Sequence, residues 1–401
     1  MVDNQRILII GGGIGGTAAA IALRKAGLEA VVYEARTRRG TQYGGCYVLW
    51  YAGALSLARL GVAERAYACG HQLERLEMCD AHGHVLNHLD MGKRGRTLGA
   101  MPVAIRRADL LNLLYEELGP DDFHLNSTFR GMSQDDQGVT ATFTDGRSER
   151  GAILVGADGL QSRVRAHLHG LEAARHPGYA HWSGIAESDA GAPPRVFRIM
   201  HGESARFAFF HLGDGRVCWW CVRNAPEGPD GDVLGEYEAL TTFFHDWEPT
   251  ARALLAATPP AAIHRRDTFD RPPLRHWGLD RVTLLGDAAH AMTFDLGQGA
   301  GTSLTDGVTL GDYLSKNGVT ASSLRAFEHA RRSVTLPLVK ASRQIGAATA
   351  WGGPLGPRVN ATILRTVARK ITPRLLERDA RSHAELAPIN ETSAPRTVVP
   401  S

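Results

Sequence analysis

Three glycine-bearing turns carry the residue types that could do chemistry in this 401-residue chain. The first is Gly11-Gly-Gly13-Ile14-Gly15-Gly16, with Glu34 standing 18 residues past Gly16. In such a turn the first glycine permits a tight bend, the second lets a pyrophosphate approach the backbone, and the third lets helix and strand pack closely. An acid at the end of the following strand can take both hydroxyls of an adenosine ribose. Glutamate there, rather than a base, disfavours a 2′-phosphate, so FAD or NAD fits this site better than NADP. The second turn is Gly156-Ala-Asp158-Gly159. Asp158 reads either as a polar anchor beside a nucleotide or as a cap for a helix starting near Ser162. The third runs from Gly286-Asp287 to Gly297-Gln-Gly299-Ala300-Gly301. A helix whose first turn is nearly stripped of side chains offers unpaired N–H groups and a partial positive charge to an anion or a polarised carbonyl.

Each turn needs a strand before it and a helix after it. The runs Arg6–Ile10, Ala152–Gly156 and Val282–Leu285 are short, apolar and bounded by glycine, which predicts buried strands. Thr17–Ala26 predicts an Ala-rich helix, Ala30–Tyr33 a second strand, and Leu304, Val308, Leu310 and Leu314 recur at helical spacing. Further helices are expected over Tyr47–Leu60, Arg107–Leu118, Leu234–Ala257 and Ser323–Ala350, the last kinked at Pro337, with basic helices over Arg358–Leu376. Strands are expected at His124–Phe129 and Val139–Phe143.

Residues 179–223 change character. Short alternating runs separated by turns predict an antiparallel meander inserted into the α/β fold. Cys218-Trp-Trp-Cys221 has CxxC spacing, but residues three apart on a strand point to opposite faces, so it is read as packing. His71, His82, His84 and His88 lack the partners and helical spacing of a metal site, so a solvent-facing hairpin and no metal are expected.

Composition is that of ordinary globular material, 43% hydrophobic and 22% charged, and a net charge of +3 gives no argument for nucleic acid. Only five of the 45 basic residues are lysines, a bias that reads as genomic base composition. Five cysteines without regular spacing point to a reducing cytoplasm, and no apolar run suits a signal peptide or a membrane span. The tail from about Arg381, rich in Pro, Ser and Thr, is expected to be disordered.

In order and content, the three turns resemble the single-component FAD-dependent aromatic hydroxylases, the p-hydroxybenzoate hydroxylase family. The resemblance runs from Arg6 to about Arg378 and includes the GxGxxG with its acid, Arg107-Ala-Asp-Leu, GADGLQSRVR and LLGDAAH followed by GQG. It implies an α/β architecture: a Rossmann-like FAD-binding domain (residues 1–70, 100–178 and 270–320), an inserted antiparallel β-sheet substrate domain (71–99 and 179–269) and a C-terminal helical region (321–380). It implies non-covalent FAD held by Gly11, Gly13, Ile14, Gly15, Gly16, Glu34, Ala35, Arg36, Gly45, Arg107, Phe129 and Asp158. Gly286, Asp287, Gly297, Gly299, Ala300 and Gly301 complete that set. NADH or NADPH would visit as a transient co-substrate. The activity implied is a monooxygenase that hydroxylates or epoxidises an aromatic or polyketide-like molecule with O2, through a flavin C4a-hydroperoxide. No protein side chain is assigned a catalytic role, and a monomer or homodimer is expected. A reductase or dehydrogenase on the same fold, or a ligand-sequestering flavoprotein, are the alternatives.

Within the family, Gly44–Leu49 and Arg198-Ile-Met200 look most like the tetracycline-inactivating branch. Three departures stand out: Phe294 and Tyr51 replace prolines of the family pattern, and Ser183 replaces an arginine. A two-residue turn at Asp214-Gly215 would place Trp220 on one face with Arg198, Met200, Phe207, Phe209 and His211. The likeness to that branch makes this the expected substrate face, with Phe294 and Asp295 as its opposing wall. A three-residue turn at Gly213–Gly215 would instead bring Trp219 and Cys221 to that face.

Overall fold

Apolar runs ending in glycine or a charged residue build a five-stranded parallel sheet in the order Val282–Leu284, Ile153–Gly156, Ile7–Ile10, Ala30–Tyr33, Phe123–His124. The first four strands are buried along their whole length, as strands covered on both faces must be. The computed structural model describes residues 5–38, 45–228 and 233–350, together with positions 362, 365, 374 and 376–380. Helix Ile14–Lys25 returns the chain from the first strand to the second. Against it lies helix Gly299–Asn317, where a Cβ on Gly307 would stand 2.5 Å from the backbone nitrogen of Ala19. The two helices and the parallel sheet share one core with Leu57, Leu111, Leu285 and Leu304.

The second layer is a seven-stranded sheet ordered His264–Asp267, Tyr179–Ala186, Val217–Asn224, Ala205–His211, Val196–Gly202, Arg75–Asp80, Val85–Asp90. Strands from 75–90 and from 179–267 therefore meet in one sheet, whereas His71–Gln72 pairs with Val103–Ala104 in another. The seven-stranded sheet is mixed rather than purely antiparallel, because Val196–Gly202 runs parallel to Arg75–Asp80. Helices Val233–Phe243 and Pro249–Ala256 cover its outer face, where the sequence predicted a single helix. Residues 46–49 are a strand, and the helix expected from Tyr47 begins only at Tyr51; it ends at Gly61 with φ 79°. Helix Ala321–Thr349 continues through Pro337. The expected basic helices over 358–376 and the tail from 381 fall, apart from positions 362, 365, 374 and 376, outside the described residues.

Candidate active site

The carboxyl ends of the parallel strands open into a cavity of about 1060 Å³ whose far wall is the inner face of the seven-stranded sheet. That exceeds what one small ligand needs. Gly11, Gly13, Ile14 and Gly15 line its floor, with Glu34, Ala35 and Arg36 at one end. A Cβ on Gly13 would meet nothing within 4 Å, so the backbone there stands open to the cavity. Helix Ile14–Lys25 has no side-chain cap and no acid in its first turn, which leaves its amide donors available to an anion. Gly16 does not line the cavity; a Cβ there would stand 2.0 Å from the Gly11 carbonyl oxygen, so it serves the close packing of helix on strand.

Glu34 accepts the Gly12 N–H at 2.7 Å on Oε2 and the Arg36 N–H at 3.0 Å on Oε1. Each oxygen keeps a second lone pair that a ribose hydroxyl could use. Gly45, Arg107 and Phe129 also line the cavity. Asp158 lines it too, yet its carboxylate is engaged as a helix cap. Ser162 Oγ donates to Oδ1 at 2.5 Å, and the N–H groups of Arg163 and Val164 donate to Oδ2 at 2.7 and 3.2 Å. Both readings of this residue thus have a counterpart in the geometry. Burial pushes its carboxyl up, against the pull of the Ser162 bond.

Around the third turn, Gly286, Asp287, Gly297, Gly299 and Ala300 line the cavity, whereas Gly301 packs closely on helix Tyr51–Leu60, where a Cβ on Gly53 would stand 3.2 Å from the Gly301 Cα. Helix Gly299–Asn317 again has no side-chain cap and no acid in its first turn. Asp287 is open to the cavity, but the cavity lies deep among protein atoms, and that burial raises its carboxyl above the ordinary range. A residue absent from the sequence reading holds this turn. Asp306 accepts the Gly286 N–H at 2.8 Å, bonds His290 Nε2 at 2.6 Å and accepts from Arg331 Nε at 2.6 Å. Arg331 reaches Asp379 with its other nitrogens, at 2.5 and 3.1 Å. Acids and bases far apart in sequence gave no local pattern by which to find this group.

The expected substrate face is corrected. Leu212 N–H bonds the Arg216 carbonyl and closes a three-residue loop, with Gly213 at φ 95° and Gly215 at φ 83°. His211 then stands opposite Val217 and Phe209 opposite Trp219. Arg198, Met200, Phe207, Phe209 and His211 share the outer face, away from the cavity. Met200, Phe207 and Phe209 are packed under Phe244, Trp247 and Leu254. Arg198 is paired with Glu77 at 2.8 Å and Glu248 at 3.4 Å, and His211 bonds the Ala192 carbonyl. The cavity face carries Phe197, Ile199, Phe210, Cys218 and Trp220, joined by His181 and Ser183 from the neighbouring strand. Of the residues expected to meet substrate, Trp220, Phe294 and Asp295 do line the cavity. Cys221 belongs to the outer cluster and Cys218 to the inner one, so the CxxC pair is split across the sheet.

Phe294 is wedged between His181 and Trp220, with ring centroids 4.7 and 5.5 Å away. Beside it Asp295 pairs with Arg206 and accepts the Tyr179 hydroxyl at 2.5 Å. Arg206 also lies 5.9 Å from the rings of both Trp220 and Phe294. Among the described residues no helix is long and apolar enough to cross a membrane.

Proteins similar to this chain include flavoenzymes. Aurachin C monooxygenase/isomerase of Stigmatella aurantiaca is 30% identical over 92% of this chain and 96% of its own. The FAD-dependent urate hydroxylase of Klebsiella pneumoniae is 31% identical over 85% of this chain and 89% of its own. The crystal structure of Klebsiella pneumoniae HpxO complexed with FAD and uric acid overlays with a TM-score of 0.87 at 28% identity, covering 94% of this chain and 97% of that one. A tetracycline destructase overlays at 0.62 with 18% identity, which is a likeness of fold alone. The family model described as FAD binding domain matches residues 4–342. This chain belongs to that family, and its relatives are FAD-dependent hydroxylases and monooxygenases.

Proposed function

We propose that the chain hydroxylates or epoxidises an aromatic or polyketide-like small molecule with NAD(P)H and O2, in the space between the Gly297–Gly301 loop and the inner face of the seven-stranded sheet. The observation that carries this reading is the continuity of the cavity. One volume runs from the Gly11–Gly15 turn and Glu34 to His181, Trp220 and Phe294, so a dinucleotide at one end and a ring at the other would meet. Bound FAD would supply acceptance of hydride from the nicotinamide and activation of O2 for insertion of one oxygen atom into the substrate.

The chain's own residues bind, orient and exclude water. Gly13 and the open amides of helix Ile14–Lys25 suit the pyrophosphate, Glu34 the adenosine ribose, and Asp287 the sugar-alcohol chain. The uncapped start of helix Gly299–Asn317 would stabilise negative charge on the ring system by ~0.3–2 kcal/mol. The sheet with Phe197, Phe210 and Trp220 forms an apolar roof that keeps water from the reacting atoms. Five unbonded cysteines support a reducing cytoplasm as the compartment, and a monomer or homodimer remains our expectation. The decisive experiment is turnover of an accepted substrate under isotopically labelled dioxygen. One labelled atom in the product supports the reading; NAD(P)H consumption with an unlabelled product overturns it.

A further inference from the structure

His181 Nδ1 is buried without a hydrogen-bond partner, and neither His181 Nε2 nor the Ser183 hydroxyl has one among the described residues, although both side chains line the cavity. The two residues alternate on strand Tyr179–Ala186, which puts them on one face about 7 Å apart. Ser183 stands directly opposite Trp220 in the sheet, and the His181 ring lies against Phe294. Two open hydrogen-bonding groups are thus set at a fixed spacing along an aromatic wall. When a ligand fills this space and displaces water, each must find its partner on the ligand or stay unsatisfied, which weakens binding.

Resting on the reading that this cavity holds the substrate beside FAD, we propose that His181 and Ser183 are the specificity-determining pair. We further propose that the substrate is an uncharged fused aromatic carrying hydroxyl groups at two separated edges. Burial, with the Arg266 charge adding to it, holds the His181 imidazole down at about 4, so at neutral pH it donates or accepts without carrying charge. The charge of Arg206, behind the same wall, is met by Asp295, and Arg266, which lines the cavity beside His181, already interacts within the protein. A neutral phenol suits such a wall better than a carboxylate does, and a site shaped to bond a hydroxyl rejects the analogue that lacks it.

The test uses the FAD-loaded enzyme, titrated with four probes: naphthalene, 2-naphthol, 2,7-dihydroxynaphthalene and 2-naphthoate. Perturbation of the flavin visible spectrum gives Kd without turnover. Each added hydroxyl should tighten binding about tenfold, the worth of one hydrogen bond. His181→Phe should abolish one of the two increments, each measured against naphthalene on the same variant, and Ser183→Ala the other, with FAD content unchanged. His181→Gln, which keeps a donor and an acceptor, should restore most of the first. Equal increments in the wild type and in both His181→Phe and Ser183→Ala overturn the proposal, as does naphthoate binding tighter than the diol, or no perturbation by any probe. A protein that holds no FAD would instead refute the flavin reading beneath it.

Discussion

Arg206 and Asp295 pair across the boundary between the seven-stranded sheet and the turn before the Gly297–Gly301 loop, with side chains only 4% and 0% exposed. The pair fastens the substrate-side sheet to the segment that carries Phe294. Removing one partner of a buried pair leaves the other charge uncompensated, so Asp295→Ala should cost about 3–5 kcal/mol in chemical denaturation. The double variant Arg206→Leu/Asp295→Leu should recover much of this. A double variant no more stable than the single one would count against the pairing as the cause.

Asp306 gives the fold an acid-sensitive point beneath the Gly286–Asp287 turn. Burial alone would raise its carboxyl from the ordinary 3.8, but the charges and hydrogen bonds of His290 and Arg331 prevail and hold it at about 2. Its folded value is depressed, so its contribution is complete above about 3.8 and is lost as pH falls from there through about 2. That contribution is about 2 kcal/mol. Denaturation midpoints taken from pH 7 to pH 2 should show Asp306→Asn less stable at neutral pH, with the gap to wild type narrowing below 3.8. A gap that stays constant across this range would refute the linkage.

The glycines of the first turn should separate binding from folding. Gly13→Val projects its branched carbons into open space where a pyrophosphate would lie, so the protein should fold and purify without FAD. Gly16→Val drives a side chain into the Gly11 carbonyl and should fail to fold. Circular dichroism and the visible spectrum of the two purified proteins distinguish these outcomes. A fully yellow Gly13→Val protein would show that the cofactor lies elsewhere.

The end of the cavity lined by the first glycine turn was legible because its requirements are local. A strand, a glycine turn, a helix start and an acid lie within one short segment, and each residue type has a backbone reason to be there. Hence Gly11, Gly13, Ile14 and Gly15 reach the cavity together with Glu34, Ala35 and Arg36. The substrate end was not legible, because both faces of the meander mix aromatic and polar residues. A single added residue in the Gly213–Gly215 loop moves Trp219 and Cys221 to one face and Cys218 and Trp220 to the other. Which face meets the cavity is then decided by helices Val233–Phe243 and Pro249–Ala256, whose packing over Phe207 and Phe209 no periodicity in the meander announces. His181 escaped notice for the same reason, and Ser183 stood out only as a departure from the family pattern, not as a residue facing the cavity.

The sheet faces yield their own test. Phe197→Ala and Phe210→Ala open the cavity roof and should raise KM or lower coupling several-fold with FAD still bound. Arg198→Ala leaves Glu77 and Glu248 without their shared cation. It should lower the thermal midpoint by several degrees, for a loss of about 1–3 kcal/mol, while coupling stays as in the wild type. Should Arg198→Ala impair coupling at unchanged stability, the outer face would have to communicate with substrate after all.

Phe294 occupies the position where the family pattern carries proline, and its ring fills the corner between His181 and Trp220. A proline there would fix the backbone but leave that corner empty, so here the side chain does the walling. Phe294→Ala removes a large ring from a partly enclosed apolar site, which both loosens the substrate and admits water. Water near the reacting atoms favours release of hydrogen peroxide over oxygen transfer. Comparing NAD(P)H consumed with product formed, the variant should lose a several-fold larger share of reducing equivalents to peroxide, while FAD content stays unchanged. Phe294→Leu, which refills most of the volume, should restore much of the coupling. Phe294→Pro should not, because it returns the family residue without the ring. Coupling unchanged in Phe294→Ala would show that the wall is supplied by Trp220 and the sheet alone.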